Sequence, residues 1–154
     1  MSIEIKILRS GDEAVLDRVA PDVFDDAIDA DAARRFLADA RHHIAVALDG
    51  SLVVGFATGV HYFHPDKPIP ELFINEVGVA PSHQRRGIAK LTLNALLDEG
   101  RALGCAQAWV LTDRGNPAAM SLYMACGSGE PSDHVMFSIA LAASESHEGS
   151  SSQE

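Results

Sequence analysis

Asp49-Gly50 stands between two runs rich in apolar and β-branched residues, Ile44-Ala45-Val46-Ala47-Leu48 and Leu52-Val53-Val54-Gly55-Phe56-Ala57. Asp-Gly suits a two-residue turn whose backbone needs positive φ, and such flanks fit a pleated, buried surface, so the segment predicts a β-hairpin. An isolated hairpin is barely stable in water, so neighbouring strands and covering helices must come from the rest of the chain. Ile3, Ile5 and Ile7 alternate with Glu4 and Lys6, which predicts a half-buried first strand ending at Ser10-Gly11. Val15, Leu16 and Val19 share a helical face closed by Pro21, and Ala32, Ala33, Phe36, Leu37 and Ala40 recur at helical spacing.

Downstream, His64-Pro65-Asp66-Lys67-Pro68-Ile69-Pro70 is dense in proline and predicts a loop. A fourth strand follows over residues 72–79, mostly apolar and broken off at Ala80-Pro81. Two residues interrupt it. Glu76 puts a carboxylate inside an otherwise buried run, and Gly78 marks a bulge or a close backbone approach. A long amphipathic helix is expected from Ile88 to about Leu103, ended by Gly104, then a fifth strand over 106–112. Asn116-Pro117 opens another helix, running through Tyr123 to Gly127, and residues 134–142 read as a last strand. Strand and helix alternate through this second half, an α/β pattern.

With 154 residues and 47% apolar content, the chain suits one domain with a genuine core. Against 22 acidic side chains stand 12 basic ones, a formal net charge of −10 that argues against nucleic acid as a partner. No run reaches the roughly 18 uninterrupted apolar residues of a membrane span, and the start lacks a basic segment followed by a long apolar one, so no membrane association and a cytoplasmic location are expected. Cys105 and Cys126 lack CxxC spacing and read as reduced thiols, and the His residues form no metal-ligand pattern, so no metal is expected. Asp22, Asp25, Asp26, Asp29 and Asp31 fall close together with no base among them, and no Lys or Arg follows Arg114. That first patch is either solvated surface or a site for a cationic ligand. Residues 144–154 are Ser- and Glu-rich with nothing to bury, which predicts a flexible tail beyond a domain of residues 1–143.

Chemistry concentrates where the fourth strand meets the long helix. A strand-turn-helix with Gly87 at the turn exposes backbone N–H groups at the positive end of the helix, and Arg85 and Arg86 add charge, a combination that suits phosphate. Neither GxxxxGK nor GxGxxG is present, which weakens a nucleotide-binding reading.

Gln84-Arg85-Arg86-Gly87-Ile88-Ala89 resembles the Q/R-x-x-G-x-G/A signature of the GNAT superfamily of acyl-CoA-dependent N-acetyltransferases. Glu76-Val77-Gly78-Val79-Ala80-Pro81 resembles that family's bulged fourth strand, and Asn116-Pro117-Ala118-Ala119 with Leu122-Tyr123 and Gly127 resembles its second cofactor motif. The resemblance implies a single-domain α/β (α+β) GNAT-like fold, with a mixed central sheet of about six to seven strands flanked by about four helices. It implies acetyl-CoA as donor, held by Gln84, Arg85, Arg86, Gly87, Ile88, Ala89, Asn116 and Ala119, with the main chain of Val77 and Val79 freed by a bulge near Gly78. Tyr123 matches the family tyrosine that protonates the leaving thiolate; Glu76, expected to be partly buried with a raised pKa, would take the amine proton or bind the substrate ammonium.

Within the superfamily, Val23-Phe24-Asp25-Asp26, Arg35-Phe36-Leu37-Ala38-Asp39, the 73–79 strand and His134-Val135-Met136-Phe137 are similar to GNAT-type aminoglycoside 3-N-acetyltransferases. That likeness implies a polycationic small-molecule acceptor, met by Asp25, Asp26, Asp29 and Glu76 on one wall and by Glu71, Asp133 and His134 on the other. Other amines, such as a polyamine, a lysine or a protein N-terminus, stay open, as does a non-catalytic acyl-CoA-binding module, against which Glu76 and Tyr123 argue. Many relatives are homodimers, which the resemblance extends to this chain as an expectation.

Overall fold

In the computed structural model, which describes residues 2–143, the expected hairpin joins β2 (His42–Asp49) to β3 (Leu52–His64). They pair antiparallel around the turn, where Gly50 takes a φ of 62°. β1 (Ile3–Ile7) lies antiparallel on the outer edge of β2, and β4 (Lys67–Val79) lies antiparallel on β3. β5 (Ala108–Val110) closes the row parallel to β4, giving a mixed sheet in the order β1-β2-β3-β4-β5.

Two layers cover it. α2 (Ile88–Ala102) packs Leu93 and Leu96 onto a face that presents Ala45, Ala57, Leu72 and Ile74. The opposite face presents Ile44, Val46, Leu48, Val54 and Phe56 to α1 (Ala30–Ala38) and to a short 3-10 helix, Glu13–Asp17. Leu72, Leu93 and Leu96 are completely enclosed, and burying each contributes about 1.5–3 kcal/mol. α2 can approach β3 closely because position 55 is glycine: a Cβ there would lie 2.7 Å from the Ile88 Cγ2 methyl. A last helix, α3 (Pro117–Ala125), sits on the α2 side, its Leu122 and Tyr123 packed against the same cluster.

The sheet therefore has five strands and the described residues three α-helices, fewer than the six to seven and four expected. The segment carrying Val15, Leu16 and Val19 is only a 3-10 turn. Val19 is drawn into a parallel bridge with Val53, with Ala20 N–H donating to Val53 O at 2.9 Å, and this extends the chain after Asp17. The proline-rich stretch is strand from Lys67 onward, leaving only Pro65 and Asp66 in the turn. Leu72 N–H points toward β5, donating to Gln107 O, so alternation sends the ring nitrogens of Pro68 and Pro70 to that same edge, beyond the start of β5. No ladder bond is lost there.

The fifth strand is shorter than 106–112, and residues 134–142, expected as a strand, have no regular structure. Alternating apolar residues make a strand only against a partner edge, and β5 pairs over three residues alone. Val135, Met136, Phe137, Ile139 and Leu141 are consequently 72–96% exposed. The predicted tail, 144–154, lies outside the described residues. Among the described residues no helix is long and apolar enough to cross a membrane.

Candidate active site

β4 and β5 pair only through Leu72, Phe73 and Ile74, and beyond Ile74 the two strands part. The β3–β4 register slips there: Gly59 faces Ile74 and Thr58 faces Glu76, so Asn75 is the extra residue of a bulge. The bulge thus falls three positions before the expected Gly78. Its effect is a change of direction. Leu72 N–H points to β5, whereas Glu76 N–H donates to Thr58 Oγ1 (3.2 Å) and Ala80 N–H to Val54 O (2.8 Å), both on β3. By alternation the N–H groups of Val77 and Val79 face the parted edge, where β5 offers no partner. Gly78 serves a close approach instead: a Cβ there would lie 2.6 Å from Val23 O.

At the end of that slot, Arg85 (φ 64°) and Gly87 (φ 75°) both occupy the left-handed region, and α2 begins at Ile88. Gly87 provides no side-chain cap, and the first helical bond runs from Leu91 N–H to Gly87 O (3.1 Å). The N–H groups of Ile88, Ala89 and Lys90 therefore lack acceptors within the helix. Arg85 and Arg86 are exposed, and among the described residues neither guanidinium is ion-paired. Gln84 reaches back to Val79 O at 3.5 Å, and the Ile88 side chain is buried in the core. Turned-out amides and two free cations suit a diphosphate, and the amides of Val77 and Val79 suit a chain with amide groups of its own. These groups fit acetyl-CoA.

On the face away from α2, Glu76 and Asn75 line an open cleft of about 410 Å³ with Thr58, Phe24, Asp25, Asp26 and Asp29. The segment bearing these aspartates is irregular and is pinned by Phe24 stacking on Phe56, centroids 4.0 Å apart. Asp29 Oδ1 accepts from Ala32 N–H at 2.8 Å and so caps α1, while Asp25 and Asp26 are exposed. Glu76 is exposed too, not the partly buried carboxylate expected.

Tyr123, on α3, is half-buried against the cluster that holds Leu93 and Leu96 of α2. Burial, and secondarily the neighbouring Cys126, raise its pKa above the ordinary phenol value, so it keeps its proton at neutral pH. Asn116 Oδ1 accepts from Ala119 N–H (3.1 Å), which caps α3 and occupies both residues. Glu71, Asp133 and His134 do not border the Glu76 cleft. Glu71 accepts from Tyr62 Oη (2.7 Å) and Gln107 Nε2 (3.0 Å) and lies near His64; the Tyr62 bond, then His64, hold its pKa below the ordinary value. Asp133 pairs with Arg114 at 2.6 Å, and His134 Nδ1 bonds Ser132 Oγ at 2.9 Å, both beyond α3. Sequence reasoning passed over Asn75 and Thr58. The bulge at Asn75 and the pairing of Thr58 with Glu76 depend on strand register, and the one local signal, Gly78, points three residues downstream.

Residues 11–127 match the family model described as Acetyltransferase (GNAT) family. The chain belongs to the GNAT family of acetyltransferases, which use acetyl-CoA as donor. It is 36% identical over 96 residues to the N-alpha-acetyltransferase RimI of Mycobacterium tuberculosis, a match covering 62% of this chain and 58% of that protein. Among solved structures, an aminoglycoside acetyltransferase from an uncultured soil metagenomic sample, in complex with trehalose, superposes with a TM-score of 0.76 at 21% identity, covering 91% of this chain and 97% of that one. AAC(6')-Iy in complex with a bisubstrate analog gives a TM-score of 0.70 at 20% identity, covering 91% and 99%. At these identities the two structures are likenesses of fold.

Proposed function

We propose that this chain transfers acetyl from acetyl-CoA to a primary amine of a polycationic small molecule, an aminoglycoside at its 3-amino group. The observation that supports this most is the single cleft shared by Glu76, Asp25 and Asp26 on a chain of net charge −10. Such a field attracts a multiply charged amine and orients it toward the parted strands. The amine nitrogen attacks the thioester carbonyl carbon, the C–N bond forming as the C–S bond breaks. Val77 N–H donates to the carbonyl oxygen as it gains charge. Glu76 takes the ammonium proton through water, and Tyr123 gives its proton to the departing thiolate. Residues 84–89 hold the diphosphate of the donor, and Asn116 and Ala119, at the start of α3, belong to the same donor site. Acetyl-CoA supplies the activated acyl group.

A second acceptor, the N-terminal amine of a protein, is favoured by the likeness to RimI. Thiol release from acetyl-CoA, followed with gentamicin, kanamycin, spermidine, lysine and a short peptide, separates the two. Turnover with gentamicin, with NMR of the product showing the 3-N-acetyl group, supports the first reading. Turnover with the peptide alone replaces it with the second, and no turnover with any amine despite bound acetyl-CoA defeats both.

A further inference from the structure

Asp49 ends β2 at the hairpin, and His83 lies in the short 3-10 turn Pro81–His83 that leads to α2. The two are 34 positions apart in the chain, yet His83 Nε2 donates to Asp49 Oδ2 at 2.8 Å. Ser82 Oγ bonds the other ring nitrogen, Nδ1, at 2.7 Å. An ionised carboxylate only accepts, so Nε2 carries a proton and the ring is fixed from both sides. With side-chain exposures of 13% and 18%, this contact is shielded from water, unlike Arg41–Asp39 at 62% and 33% or Arg101–Asp98 at 69% and 74%.

Immediately beyond His83 the chain becomes exposed and unfavourably twisted: Arg85, not a glycine, holds a φ of 64°. Left-handed backbone at an ordinary residue persists only where the surroundings impose it. The surroundings here are few. Gln84 makes one long bond to Val79 O, and Ile88 anchors the far side in the core. Asp49–His83 anchors the near side.

We propose that Asp49 and His83 are positioning residues, a brace between the β2–β3 hairpin and the 84–87 turn that keeps the turn's amides in the form that receives the donor's diphosphate. The brace touches no reacting atom. It rests on the reading of residues 84–89 as the diphosphate site and deepens it. Its consequence is selective: it strengthens donor binding through one part of the donor, by preorganisation, and leaves the chemical step alone.

The test uses Asp49→Ala, His83→Ala and the conservative Asp49→Asn, whose amide oxygen still accepts from Nε2–H. Calorimetric titration with CoA, which needs no acceptor, is expected to show binding weakened about 5- to 20-fold in the two alanine variants and largely restored in Asp49→Asn. The KM for acetyl-CoA rises by a similar factor while kcat at saturation stays within about twofold. S-acetylpantetheine, a donor without the diphosphate, is expected to be used equally well by all forms. Equal losses with both donors would reduce the contact to general stability and overturn the proposal, as would CoA binding within about twofold of wild type in His83→Ala. Absence of turnover with every amine would defeat the acetyltransfer reading while the CoA titration still reports on the brace.

Discussion

Replacing Gly78 with alanine tests the close approach that ties the acceptor wall to the sheet. The added Cβ would lie 2.6 Å from the Val23 carbonyl oxygen and 2.7 Å from Phe56 Cε1. Contacts between carbon atoms are favourable near 3.5–4.0 Å, so either β4 or the Val23 backbone must yield by most of an ångström. Overpacking of this kind costs about 1–3 kcal/mol, and the backbone oxygen has no rotamer through which to escape. The smaller entropy of the unfolded alanine chain returns about 0.4–1 kcal/mol, leaving a net loss of about 0–2.6 kcal/mol, centred at about 1.3 kcal/mol. At that centre, Tm falls by roughly 3–5 °C for a chain of this size. Urea titration and thermal melting measure it, with Gly129→Ala as control, since a Cβ there meets nothing within 4 Å. The displaced segment carries Phe24, Asp25 and Asp26, so the KM for a cationic acceptor is expected to rise as well. A Gly78→Ala protein that melts with the wild type would refute the argument, because no atom as close as Val23 O could then be there.

Tyr123→Phe removes the proposed acid and is expected to lower kcat about 10- to 100-fold with little change in KM, whereas Glu76→Gln lowers kcat/KM; unchanged steady-state rates in both would remove those roles. Stability should fall on acidification because of His43, which is buried with Nε2 2.7 Å from His61 Nδ1. Burial, then His61, lower its folded pKa below the ordinary 6.5, so below that pH the unfolded chain binds more protons. The loss begins as pH falls through about 6.5 and stops growing below the folded value. Urea midpoints at pH 7.5 and 5.5 read it, and a His43→Gln protein with an equally large acid loss would assign the effect elsewhere.

Much of the framework is legible in local text. Asp49-Gly50 with its β-branched flanks announces the hairpin, Gly87 and the periodic apolar residues after it announce α2, and Asn116-Pro117 announces α3. Each of these depends on nearest neighbours and turn chemistry. The errors in the framework turn on partners distant in sequence. Val19 reads as helical but is claimed by Val53, and Pro68 and Pro70 read as loop because the sequence does not say which edge their nitrogens would face. The grouping of Glu76 with Asp25 and Asp26 was legible; the separation of Glu71, Asp133 and His134 from them was not, since Tyr62, Gln107, Arg114 and Ser132 hold those three elsewhere.

The bare apolar stretch after α3 sets the colloidal character of the molecule. Val135, Phe137, Ile139 and Leu141 alternate in a segment without a charged side chain, and among the described residues the outer edge of β5 carries no strand. An open edge and a segment patterned to fill one invite pairing between molecules. What opposes it is long-range repulsion between chains of charge −10. That repulsion reaches about 10 Å at 0.1 M salt and about 3 Å at 1 M, while salting-out anions strengthen apolar contact. Added salt is therefore expected to bring these chains together, and low ionic strength to keep them apart.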